Sequence, residues 1–409
     1  MKNNHIFALL LVLLTMSCKR ETKEQIFNLK SGPWRATLSV QDQKQLPFLF
    51  EVLEDETIKI FNADETIDLN KVKIDKDSLF IHFPVFEGYI AAKFVDSVRL
   101  EGAFIKEGLD RTVPFVANYG LQDRFKIESK PSYNITGNWE TVFSKDSDKD
   151  RYIAKGIFKQ NGNVVTGTFR TTTGDYRFLE GVINSDKLQL STFDGAHAFL
   201  FTGTVSDSLI EGNFYSGNHW KEPFVAKRND SYELPDEESL TYIKEGYNSF
   251  DFKFPDSKGD SISLSDDRFK NKVKIIQIMG TWCPNCLDES KYLSQYYKNH
   301  KEKDLEIIAL AFEYAKTEDK AIKAVTKFKN SVGVEYPVLI AQYGTSDKDK
   351  AQEKLPMLNQ VLSYPTTIFI DKKGQVRKIH TGFNGPATGQ KYEEFKAKFE
   401  GFVETLLSE

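Results

Sequence analysis

GTWCPNCLDE, residues 280–289, holds two of the three cysteines in this chain of 409 residues. A Cys-x-x-Cys pair can bind zinc, attach a haem or carry electrons as a dithiol. A structural zinc site needs four ligands, commonly from a second such pair or from paired histidines. The third cysteine, Cys18, is read below as a lipid anchor, and His300 alone does not complete a set. Covalent haem attachment needs His after the second cysteine, where this chain has Leu287. A redox dithiol needs only the pair, placed where the positive end of a helix favours a thiolate on the first sulfur. The flanking sequence supplies that setting. KVKIIQIM (272–279) is an apolar run of strand length, and Leu287, Leu293, Tyr296 and Tyr297 recur at helical spacing after the motif. Cys283 and Cys286 are therefore read as the redox-active pair.

Further along, LEIIALAFE (305–313) reads as a buried strand and TEDKAIKAVTKFKNSVG (317–333) as a helix. YPVLIA follows, then PTTIFID and QVRKIHTGF as an antiparallel pair, and YEEFKAKFEGFVETLLS as an amphipathic C-terminal helix. This is the thioredoxin order. WCPNC, YPTTIFID and TGFNGPATG resemble the TlpA/ResA-like thiol-disulfide oxidoreductases of the thioredoxin superfamily, over about residues 246–409. The resemblance implies that Cys283 attacks, Cys286 resolves, and Trp282 packs beside the disulfide. It also implies that Pro365 is a cis-proline facing the cysteines, with Tyr364 offering backbone groups to a substrate strand.

Glu289 lies one helical turn beyond Cys286 and has two readings. It is a solvated carboxylate on the helix surface, or it takes up and returns the proton of the resolving thiol, as a carboxylate at this place can do in the family. Gln277 stands where thioredoxin has a buried acid and cannot titrate, which moves weight towards Glu289. Glu313, at the end of a central strand, is a weaker candidate. Pro284 and Asn285 are uncharged, whereas Asp288 and Glu289 bring negative charge near the first sulfur. That pattern is expected to destabilise a thiolate and to favour a reductant over an oxidant of folding proteins.

Residues 1–17 read as a lipoprotein signal peptide. Lys2 precedes the 11-residue apolar run IFALLLVLLTM, which is too short to span a bilayer. TMSC then resembles the bacterial lipobox, with Thr15 where Leu is common, and makes Cys18 the lipidation site. The expected location is the cell envelope, facing the periplasm and lipid-anchored to a bacterial membrane. If Cys18 carries lipid, no cysteine is left for a structural disulfide.

Between the anchor and the redox motif lie two stretches of short alternating segments and polar turns, 31–120 and 137–228. They look like copies: GPW at 32 recurs as GNW at 137, EGAF at 101 as EGNF at 211, and PFVA at 114 again at 223, with offsets of 105, 110 and 109. Each offers about eight strands and is expected to form a barrel-like meander, filled with side chains or serving a partner. His82, His197 and His219 show no metal-binding spacing and are read as structural or exposed. The expected fold is thus multidomain: a tether (18–30), β-domain 1 (31–120), a linker (121–136), β-domain 2 (137–228), an acidic linker (229–247) and an α/β thioredoxin-like domain (248–409).

A net charge of −4 argues against nucleic-acid binding. The partners expected are disulfide-bearing proteins and a membrane thiol-disulfide electron donor, with no cofactor required. Two rival functions remain at this stage. One is a ligand- or partner-binding β-barrel lipoprotein with an accessory redox domain. The other is a peroxiredoxin-like thiol peroxidase, which would need a Pro-x-x-x-Thr-x-x-Cys setting that MGTWCPNC does not provide.

Overall fold

The computed structural model describes residues 28–247 and 249–409, so the signal peptide and Cys18 lie outside the described residues. The first sheet is an antiparallel meander in which inward side chains alternate with outward ones. Its strands are Gly32–Ser39 (β1), Gln45–Val52 (β2), Ile58–Asn62 (β3), Glu65–Leu69 (β4) and Lys73–Asp75 (β5). Ser78–His82 (β6), Tyr89–Asp96 (β7), Arg99–Lys106 (β8) and Arg111–Tyr119 (β9) complete it. β1 pairs with both β2 and β9, giving the order 4-3-2-1-9-8-7-6-5.

The second sheet repeats this plan. It contains Gly137–Phe143 (β10), Tyr152–Asn161 (β11), Val164–Thr171 (β12), Gly174–Asp175 (β13) and Leu179–Asn184 (β14). Lys187–Phe193 (β15), Ala198–Val205 (β16), Leu209–Ser216 (β17) and Trp220–Arg228 (β18) follow. The copied residues occupy equivalent places. Trp34 pairs with Tyr119 and Trp139 with Arg228, while Gly102 faces Phe115 and Gly212 faces Phe224. Each tryptophan donates its indole N–H to the carbonyl four residues earlier, at 2.9 Å, on Lys30 and Ile135 respectively.

The two copies differ in closure. β12 pairs with both β11 and β14, so the second sheet closes into a barrel; β4 and β5 do not pair, so the first remains a half-barrel. The closed barrel is packed with aromatic rings, among them Trp139, Phe143, Phe169, Phe201 and Phe224. The half-barrel is completed by the outside of its neighbour. Phe193, at the end of β15, stacks on Phe48 with centroids 4.3 Å apart and meets Phe104 edge-on at 5.0 Å. Asn62 supplies the polar match for this graft: its amide donates to Phe193 O at 3.0 Å and accepts from Phe193 N at 3.2 Å. A buried backbone pair that would otherwise lack partners is thereby satisfied.

The third unit has a small hairpin, Lys253–Pro255 (β19) with Ser261–Ser263 (β20), and a five-stranded sheet. Val273–Met279 (β21), Leu305–Phe312 (β22) and Val338–Gln342 (β23) run parallel, and Thr366–Ile370 (β24) and Val376–Thr381 (β25) run antiparallel, in the order 23-22-21-24-25. The helices are Pro284–Asn299 (α1), Glu318–Val332 (α2), Lys348–Lys354 (α3) and Gln390–Ser408 (α4). This is the thioredoxin-like arrangement expected from the order of segments.

The segments expected to be linkers are fastened down. Arg124 is buried, pairs with Glu180 at 3.3 Å and donates to Ser191 Oγ at 3.1 Å and to the Phe61 carbonyl, so it pins the two β-units together. The acidic segment lies along the thioredoxin unit. Thr381 N donates to Glu237 O at 2.9 Å, Lys244 N to Met357 O at 2.9 Å, and Lys391 pairs with Glu237 at 3.0 Å.

Arg177 joins all three units. Its guanidinium pairs with Glu65 of the half-barrel at 2.6 Å, with Asp194 of its own barrel at 3.5 Å, and with Asp288 of α1. Burial alone would lower the affinity of Arg177 for its proton, but Glu65, Asp194 and Asp175 outweigh it and the net shift is upward. Removing one member of such a buried cluster leaves uncompensated charges behind. Arg177→Ala is therefore expected to cost about 3–5 kcal/mol of stability, measured by urea unfolding. A loss within the range of an exposed surface pair would contradict this role for Arg177.

Candidate active site

All seven residues of β21 are buried, and the strand delivers the chain to the redox motif from the middle of the sheet. The intervening loop is held at three points. Thr281 donates from its amide and its hydroxyl to Glu313, at 2.8 and 2.7 Å, and Trp282 Nε1 donates to Phe312 O at 2.9 Å. Gly280 permits the fold-back, since a Cβ there would stand 2.4 Å from Trp282 Nε1. Glu313 therefore shapes the loop, and burial pushes its carboxyl up to about 7 against the two hydrogen bonds from Thr281.

Cys283 caps α1, and its Sγ accepts from Cys286 N at 3.2 Å. Pro284 follows at the start of the helix, where its missing N–H costs no hydrogen bond. The helix end thus points its positive pole at the Cys283 sulfur. As a thiol, the same sulfur donates to Tyr364 O at 3.3 Å. The Tyr364–Pro365 bond is cis. Trp282 lies half-buried beside the pair, with its ring 5.6 Å from that of Tyr364.

Cys286 is fully buried, and its pKa stands well above the ordinary thiol range. Burial is the main cause, followed by the hydrogen bond and charge of Cys283, with a further contribution from Glu289. The two sulfurs are therefore unequal: one caps a helix end and borders a cleft, the other is fully buried and kept protonated inside.

Glu289 overturns the expectation of a helix-surface carboxylate. Lying three residues after Cys286, it shares the inward face of α1 and is fully buried. Gln277 Nε2 donates to it at 2.7 Å and Thr367 Oγ1 at 2.6 Å, while Gln277 Oε1 accepts from Ser290 at 3.0 Å. Burial pushes Glu289 up to about 7 despite those two donors. Gln277, which cannot titrate, holds in place a group that can.

Asp288 also departs from expectation. It was expected to repel a thiolate, but it is buried against Arg177, and its charge is compensated there. Burial shifts Glu289 towards its neutral form, which weakens the repulsion expected from the sequence without removing it, since its charge still helps to raise Cys286.

The sequence reading missed the turn Thr171–Arg177 of the closed barrel, which looked like any other polar turn. It sits against the redox motif. Asn285 Nδ2 donates to Asp175 O at 3.2 Å, Ser363 Oγ to Thr173 O at 2.8 Å, and Gly385 N to Asp175 Oδ2 at 2.6 Å. Gly174 adopts φ +146°, and a Cβ on it would lie 2.0 Å from Asn285 Nδ2, so only glycine allows this approach. The TTGD stretch announces a turn but carries no sign of what the turn touches.

Comparison with known proteins accords with this geometry. The Redoxin family model matches residues 244–395. Over 171 residues the chain is 32% identical to the thiol-disulfide oxidoreductase ResA of Bacillus thuringiensis (strain Al Hakam), spanning 42% of this chain and 82% of that protein. It is 33% identical over 140 residues to ResA of Bacillus subtilis (strain 168), spanning 34% and 69%. The thioredoxin-like protein YneN of the same strain matches at 29% over 140 residues, spanning 34% of this chain and 73% of its own length. With its paired cysteines at the head of α1 and this likeness to ResA, the chain belongs to the TlpA/ResA-like thiol-disulfide oxidoreductases of the thioredoxin superfamily.

Proposed function

We propose that this thiol-disulfide oxidoreductase is an exported, lipid-anchored reductase of protein disulfides. The observation that carries the reading is the ordered set of Cys283 at the head of α1, buried Cys286 behind it, and Glu289 one turn further in. In the forward reaction the Cys283 thiolate attacks a substrate disulfide. A Cys283–substrate bond forms, the substrate S–S bond breaks, and the released thiolate takes a proton from solvent. Cys286 then passes its proton to ionised Glu289 and attacks Cys283. The Cys283–Cys286 bond forms as the Cys283–substrate bond breaks, and the second substrate sulfur leaves as a thiolate that takes a proton from solvent, so the substrate departs reduced by two electrons. A dithiol donor at the membrane restores the pair.

The uncharged Pro284 and Asn285 support the reducing direction; Asp288, paired with Arg177, no longer does. In reduced Cys286→Ser, the first step proceeds and the second cannot. This variant is expected to accumulate mixed disulfides with oxidised envelope proteins, seen as reductant-sensitive adducts by mass spectrometry. Absence of adducts, with Cys283 still reactive to alkylation, would sink the reductase reading.

The anchor rests on Cys18, which follows a small residue after an 11-residue apolar core. Cys18→Ser is expected to leave the membrane fraction, and retention there in high salt would remove the assignment.

Glu289 is assigned the proton of Cys286. A buried carboxyl raised to about 7 is ionised above that pH and accepts a proton, so resolution should accelerate as pH rises through about 7. Glu289→Gln should lose this inflection and resolve roughly 10²-fold more slowly near neutrality. Stability supplies an independent check. Because the folded pKa lies above the ordinary carboxylate value, the folded state binds the extra proton, and stability falls as pH climbs from about 4.5 to about 7. The Gln variant should show a shallower fall over that window, although Glu313 titrates in the same range and keeps part of it. An unchanged pH–rate profile would return Glu289 to a packing role.

A further inference from the structure

Cys283 does not open onto bulk solvent. It lies at the floor of a cleft of about 500 Å³ whose walls come from all three units. The half-barrel contributes Lys106 and Arg111, the closed barrel His197 and His219, and the thioredoxin unit Lys348 and Tyr364. No aspartate or glutamate lines it. In a chain with a net charge of −4, that is a local reversal of sign.

Among the described residues, Lys106, Arg111 and Lys348 take part in no ion pair. The nearby acids are occupied elsewhere. Asp194 serves Arg177 and His197, Glu87 accepts from Tyr314, Glu107 from Tyr89, and Asp347 caps α3. Lys106 is pushed down to about 8, chiefly by burial and then by Arg111 beside it. Asp194 and Glu87 offset part of this from outside, but no acid lines the cleft itself, and an anionic ligand there would offset more.

The cleft does not end at the cysteine. Past Arg111, His219 and Lys348 it runs into a second groove of about 860 Å³, which adds Lys149 and Arg151. This second groove is of mixed charge, since Asp150, Asp175 and Glu222 also line it, so the basic stretch is the part over Cys283. The two clefts share Arg111, His219 and Lys348 and so form one continuous trough. It suits an extended chain laid across Cys283 and Tyr364.

We propose that the substrate disulfide reaches Cys283 on an extended acidic peptide segment, held in the basic cleft that the two β-units build over the redox motif. The proposal rests on the reading of the site as a disulfide reductase and names its substrate class. The electrons come from the pre-reduced Cys283–Cys286 pair, and the peptide leaves as free thiols.

The test is a single-turnover reaction of the pre-reduced full chain, followed by Trp282 fluorescence. Two disulfide peptides are compared that differ only in whether Glu or Lys flanks the cysteine, with neutral hydroxyethyl disulfide as a third substrate. The Glu peptide should react about ten-fold faster than the Lys peptide at low salt. The advantage should shrink at about 0.5 M salt, where exposed charges are screened. In Lys106→Gln/Arg111→Gln/Lys348→Gln the ratio should approach unity. If the triple variant does not fold, Lys348→Gln, on an exposed residue, should lower the ratio by itself.

Equal rates for the two peptides in the wild type, or a ratio unmoved in the variants, would overturn the proposal. Hydroxyethyl disulfide keeps the parent reading separate. If the wild type reduces it and Cys283→Ser does not, reductase chemistry stands whatever the peptides show. A wild type inert to all three substrates overturns both readings.

Discussion

A single buried guanidinium holds the architecture in register. Arg177 meets carboxylates from the half-barrel, from its own barrel and from the helix that begins at the redox motif. Such a cluster is stable only while every member is in place, because each charge left alone in the interior is expensive. The three units consequently cannot drift independently. The turn that carries Arg177 also carries Gly174 and Asp175, so the same anchoring presses backbone against Asn285 between the two cysteines. The position of the β-units over Cys283 follows from this constraint.

The chemistry divides along the same line. The thioredoxin unit by itself supplies everything the electrons need: a sulfur at a helix end, a second sulfur kept protonated by burial, and a carboxyl near neutrality within one turn of it. The β-units add no titrating group to that relay. They contribute walls and charge to the cleft over Cys283. A half-barrel that finishes its core on its neighbour is suited to such a task. Its Phe48 and Phe104 are sealed by Phe193 from the closed barrel, so the two walls move as one.

The local parts of this design were legible in the sequence. Cys-x-x-Cys between an apolar run and a helical pattern names its own fold, and the recurrent Gly-x-Trp and Pro-Phe-Val-Ala segments mark equivalent strands because each repeat needs the same residues at the same register. What depended on distant partners was not legible. Glu289 looked solvated because its two donors, Gln277 and Thr367, stand on strands 12 residues before it and 78 after it. Asp288 looked like a free charge because the arginine that neutralises it lies 111 residues upstream. The failure of the first sheet to close was equally hidden. It turns on one missing strand pair, whose place is taken by a phenylalanine of the other repeat.

The central claim is that the β-units restrict access to Cys283, and it can be measured on one sulfur. In Cys18→Ser/Cys286→Ser, Cys283 is the sole thiol of the chain. Its alkylation by N-ethylmaleimide can be compared with that by a maleimide carried on a folded protein, taking free glutathione as the reference thiol. A three-walled cleft predicts that Cys283 loses far more rate than glutathione does as the reagent grows. An identical loss for both thiols would mean that Cys283 stands open to solvent and would contradict the account.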